Sequence, residues 1–158
     1  MPILDALYFA LHVLSAVVWV GGMFFAWMVL RPTAAQQLEP PARLMLWRGV
    51  FARFFPWVWV TVVALPVTGY LMLFGRFGGM GNAPLYVHLM NGLGTLMILI
   101  YLHVNFAPFK RLRQEVAAQN WPEAGKQLAQ IRVLVGVNLL LGLAVIAIAT
   151  GGRSFLAG

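Results

Sequence analysis

The chain has 158 residues, of which 61% are hydrophobic and only 9% charged, about a third of the charge an ordinary soluble domain carries. With a mean hydropathy of +0.83, this composition excludes a water-soluble globule and points to an integral membrane protein, a single transmembrane domain over residues 1–158. Cysteine is absent, which excludes disulfides, iron–sulfur clusters and thiolate metal sites, and basic residues beside a membrane account for the net charge of +7 without nucleic acid.

The first residues lack a basic n-region, and their one charge is Asp5. The apolar run that follows is too long for a signal peptide, so it reads as an uncleaved first span over about residues 6–30. It is expected to stop at Arg31-Pro32, because Pro32 has no N–H for the helix ladder. Tyr8, His12, Ser15, Ala16, Trp19, Gly22, Met23 and Ala26 recur at spacings of three and four and share a face. That face is mostly small beyond the histidine, which allows close helix approach or leaves room for something flat.

Residues 33–53 read as a polar connection broken by Pro40-Pro41. Its second half is expected to be a basic interfacial helix that leads in along the lipid, with Trp47 at headgroup level. Span two covers about residues 54–74 and contains Pro66, followed by Thr68, Gly69 and Tyr70. Gly69 suits either helix packing or the edge of a macrocycle. The glycine-rich residues 75–84 lack the Lys-Ser/Thr signature of a phosphate loop and read as a turn. Span three, about residues 85–109, runs on into a polar continuation that protrudes from the membrane. After a turn at Asn120-Trp121-Pro122, span four covers about residues 131–150 and is expected to end at Gly151-Gly152. Its one polar residue, Asn138, suits a hydrogen bond between helices. The expected fold is all-α: an integral membrane four-helix bundle, up-down-up-down, with helices two to four extended on the cytoplasmic side.

Nine basic residues (Arg31, Arg43, Arg48, Arg53, Lys110, Arg111, Arg113, Lys126 and Arg132) fall on one side of these spans. Two, Arg76 and Arg153, fall on the other. The positive-inside rule then puts both termini on the non-cytoplasmic side. An ionisable side chain within a span is expensive and marks function by default. His88 and His103 lie 15 positions apart, about 22 Å along a helix and roughly 60° around it, so both are expected to look into one bundle interior. His12 and His88 fall at one depth near the outer boundary, where two imidazoles across a bundle suit the axial positions of a haem. His103, deeper toward the cytoplasm, has no histidine opposite, and a second site there would need Met23 or Met28. Copper competes as a ligand, since His and thioether suit it, although the eight methionines are scattered. Asp5, Glu39, Glu115 and Glu123 all lie at ends or in loops, which argues against a proton relay or a paired-carboxylate hydrolase. Ser15 beside His12 lacks an orienting acid for a hydrolase triad.

Residues 12–32, HVLSAVVWVGGMFFAWMVLRP, resemble the first span of CopD-type copper-resistance membrane domains, which group with HemJ-type protoporphyrinogen oxidases. The shared features are His12, Trp19-Val20-Gly21-Gly22 and the closing Arg31-Pro32. Span three, LYVHLMNGLGTLMILIYLHVNF, is similar to the family's aromatic-x-His start with a distal histidine. The resemblance implies haem b, with His12 as the matching first-span ligand, and copper handling as the traditional role. HemJ-type enzymes carry a lysine two residues after the span-three histidine, where this chain has Met90, so protoporphyrinogen oxidase activity is not expected.

The leading expectation is a b-type cytochrome-like protein of a bacterial inner membrane. Haem b would sit between spans one and three on His12 and His88, walled by Tyr8, Ser15, Trp19, Gly22, Gly69, Gly92 and Thr95. It would pass electrons to or from a quinone or a periplasmic redox protein, as an oxidoreductase if it turns over. The alternatives are copper handling through His and Met, and an accessory subunit with structural histidines. The small-residue faces are compatible with a homo-oligomer.

Overall fold

The computed structural model describes residues 2–156, which are helical almost throughout and contain no strand. Among the described residues, four helical stretches are long and apolar enough to cross a membrane: Ile3–Gln37, Pro40–Phe77, Leu85–Ala117 and Trp121–Gly152.

The first stretch does not stop at Arg31-Pro32. Helix α1 (Pro2–Phe25) passes through a π-helical turn at Ala26–Leu30 into α2 (Arg31–Gln37). The Arg31 N–H reaches the Ala26 carbonyl five residues back, and the wider turn makes room where a proline ring would otherwise crowd the preceding turn. The Thr33 hydroxyl caps the Val29 carbonyl at 2.8 Å, and the Arg31 guanidinium lies 4.3 Å from the centre of the Trp27 ring.

Pro40 and Pro41 open α3 (Pro40–Phe77), since the first helical turn needs no N–H from them. This helix is continuous for 38 residues through Pro56 and Pro66, and Gly78 ends it in the left-handed region at φ 70°. The interfacial segment expected before span two is therefore part of the helix itself. Trp47 is buried with Leu44 and Phe51 and turned away from lipid. The reason is stacking: Trp47, Phe51 and Phe55 follow one another along one face of α3, with centroids 5.3 and 5.2 Å apart.

Helix α4 (Leu85–Phe106) ends earlier than expected, at a kink rather than a straight run. Ala107 (φ −113°, ψ −87°) is held out of the α region by Pro108, and α5 (Pro108–Ala117) starts afresh. It does not simply protrude, because Phe109, Leu112 and Val116 are buried where it packs on α6 (Trp121–Phe155). The last helix runs through Gly151-Gly152, where an end was expected. A side chain at Gly152 would meet Tyr86 Cβ at 2.8 Å, so that glycine serves a close approach of α6 to α4.

Contacts along the pairs run antiparallel. Asp5 of α1 meets Arg76 of α3, and Tyr86 at the start of α4 meets Gly152 near the end of α6. On α6, Gly136 accepts the Trp27 ring and Gly142 the Val20 side chain. The core lies toward the end where α2 meets α3 and α5 meets α6. There Tyr101 of α4 sits edge-on to Trp19 of α1 and to Phe55 and Trp59 of α3, and its hydroxyl donates to the Phe55 carbonyl at 3.2 Å. Asn138 forms the expected bond between helices, its amide donating to the Met97 carbonyl of α4 at 3.1 Å.

Gly152→Ala should lower stability by about 1–3 kcal/mol, because a Tyr86 Cβ cannot retreat without backbone movement. Gly21→Ala, with open space at its side-chain position, should leave stability unchanged or raised. Denaturant unfolding of both variants in detergent micelles checks the contrast.

Candidate functional site

The α1–α3 pair is clasped at one end by the Arg76 guanidinium, which donates to both Asp5 carboxylate oxygens at 2.7–3.1 Å. The two side chains are 42% and 40% exposed, so the pair fixes register more than it stabilises. Phe9 lies one turn further along, its ring centre 5.5 Å from the same guanidinium. On the next turn comes His12.

His12 is half-buried and faces α3. Its Nδ1 shares a 2.9 Å hydrogen bond with Thr68 Oγ1. The Thr68 hydroxyl in turn donates to the Ala64 carbonyl at 2.6 Å, with the Leu65 carbonyl further off at 3.3 Å. Gly69 completes the seat: a Cβ there would lie 3.3 Å from His12 Cε1. Gly69 thus leaves room for an imidazole edge. Thr68 was not among the expected site residues. Its signal in the sequence was its place as the first polar residue after Pro66, on the span that must neighbour span one.

The remaining expected residues divide by environment. Ser15 and Trp19 are buried, Tyr8 is half-buried, and the Phe54 ring lies directly over Gly22. His88, Gly92 and Thr95 are exposed, the Thr95 hydroxyl donating to the Asn91 carbonyl at 2.7 Å. His103 is exposed in the last turn of α4. His88 and His103 do share a face of α4, but it is the outer face and not the bundle interior. The reason is rotational: Met97, Tyr101 and Val104 occupy the buried side of the helix. Nearer the start of α4, Asn91 also reaches α3, accepting from the Tyr70 hydroxyl at 2.9 Å.

Met23 is buried and lines a core cavity of about 30 Å³ with Trp19, Phe54, Phe55, Tyr101 and Asn138, while Met28 is exposed. That cavity is far smaller than a macrocycle. With Phe54 over Gly22 and Trp19 packed against Tyr101, this face of α1 offers no slot for one, and the packing gives haem between spans one and three no support. Among the described residues, no group of three or more His, Asp or Glu side chains converges as a ready metal cage. Glu123 is paired with Lys126 at 3.1 Å, well away from His12 in the chain. What the fold does provide is a single oriented imidazole inside the span.

No curated protein and no solved structure matches the chain. The family described as copper resistance protein D matches residues 48–151, a stretch that includes Thr68, Gly69, His88 and His103 and begins after His12. That match covers about two thirds of the sequence, and the chain belongs to the copper resistance protein D family.

Proposed function

We propose that this protein handles copper within the membrane, with the ion as cargo and the His12 imidazole as one of its ligands. One observation carries the reading: in a chain of the copper resistance family, the fold holds an imidazole in the apolar zone, hydrogen-bonded at one nitrogen only. Imidazole and thioether are both donors that copper accepts. His88 is a further donor on an exposed surface of the bundle, while the exposed Met28 lies toward the opposite end of the first stretch. Buried Met23 serves packing in this reading.

The excess of basic residues at the end where α2 meets α3 and α5 meets α6 supports termini on the non-cytoplasmic side of a bacterial inner membrane. His12 and His88 then fall near the outer boundary. Copper would be met on that side of the membrane.

Purified in detergent and titrated with Cu(I) against a competing chelator, the protein should bind copper and show no visible haem bands. His12→Ala should weaken binding by about tenfold or more, since even outer-shell partners of metal ligands are commonly worth that much. A Soret band that shifts on dithionite reduction and vanishes in His12→Ala or His88→Ala would overturn copper in favour of a haem-based electron carrier. Reporter fusions at the two termini should both report a non-cytoplasmic location, and a cytoplasmic signal from either would reverse the orientation.

A further inference from the structure

We infer that Thr68 is a positioning residue that selects the tautomer of His12, placing the proton on Nδ1 and leaving Nε2 bare as the ligating nitrogen. What Nε2 then binds rests on the copper reading above; the tautomer itself does not.

A threonine hydroxyl has one proton to donate and lone pairs to accept with. Thr68 Oγ1 lies 2.6 Å from the Ala64 carbonyl oxygen, which can only accept. Two oxygens that close must share a proton, and the hydroxyl is the one that has it. Thr68 Oγ1 therefore meets the imidazole as an acceptor, and the bond of 2.9 Å must be donated by His12 Nδ1–H. A neutral imidazole carries one N–H, so Nε2 keeps its lone pair.

Gly69 makes this geometry available. Its missing side chain leaves the ring resting against the α3 backbone, and a methyl group there would press on Cε1 at 3.3 Å. Pro66 lies close by. Its ring removes one N–H from the ladder two residues before Thr68, a place where α-helices bend. The same bond would fix the proton even if it served only to join α1 to α3; a ligand makes use of the nitrogen this leaves bare. Selection of one nitrogen is what a ligand requires, in the manner of carbonyl and carboxylate partners that orient metal-binding histidines.

The test reads the tautomer directly. Protein labelled with ¹⁵N-histidine is examined by NMR without metal, at alkaline pH where imidazole is neutral. His88→Gln/His103→Gln leaves His12 as the one histidine and assigns its signals. The expected spectrum has a protonated Nδ1 and a pyridine-like Nε2. Thr68→Val keeps the shape but removes the acceptor, and should yield a tautomer mixture and Cu(I) affinity lowered by about 10–100-fold. Thr68→Ser should restore both. A protonated Nε2 in the wild-type protein overturns the inference with no variant required, so a misfolded Thr68→Val would not shield it. An unchanged spectrum in a folded Thr68→Val overturns it too. If the spectra are as expected but the wild-type protein binds no copper, the positioning role stands and the copper reading falls.

Discussion

Inside a bilayer a polar side chain has no water to turn to, so it must find a partner within the protein, and in this chain that partner is usually a backbone carbonyl. Thr33, Thr61, Thr95 and Thr150 donate to carbonyls three or four residues back on their own helices. Tyr101 and Asn138 donate to carbonyls of neighbouring helices. Each bond removes a polar group from lipid at little conformational cost. The two that cross between helices also fix how deeply α4 sits against α3 and α6. Because bilayer and core are equally apolar, such bonds and tight van der Waals contact hold a membrane bundle together where burial from water cannot.

Against this background His12 stands apart. Its Nδ1 meets a hydroxyl already committed to a carbonyl, so the imidazole joins the end of a chain of hydrogen bonds anchored in the α3 backbone. The register that brings it there comes from both directions: the Asp5–Arg76 clasp beyond it and Phe54 over Gly22 before it. The same packing closes the inner part of α1 around aromatic rings. One helix thus carries a filled half and a half in which a nitrogen remains available.

How much of this was legible in the sequence follows from what hydrophobicity can report. The four spans, the helical class, the copper-resistance kinship and the bond from Asn138 were all legible, because length, composition and an isolated amide among aliphatic residues are strong signals. The outward placement of His88 and His103 was not. In water an apolar stripe marks the core, but in lipid both faces of a helix are apolar, so spacing shows which residues share a face without showing where that face looks. The inward turn of Trp47 was hidden for a related reason: a tryptophan near a membrane boundary also suits an outward, lipid-facing place, and the stacked phenylalanines beside it on α3 draw it into the core. Pro32 reads as a stop because a single-residue rule cannot anticipate a π turn that spreads the strain over Ala26–Leu30. Thr68 escaped because its partner is 56 residues away and on another helix.

The π turn has one more consequence. It takes up one residue beyond the ordinary helical count, and so advances the face of everything after it by about 100° relative to everything before. Trp27, within the turn, lies on Gly136 with Arg31 over its ring, while the stretch from Asp5 to Met23 keeps the phase that aims His12 at Thr68. The turn acts as a phase coupling between two parts of one rod. The membrane-boundary end meets the demands of charge and loop geometry, and the end that bears the imidazole is left free to answer to its own neighbours.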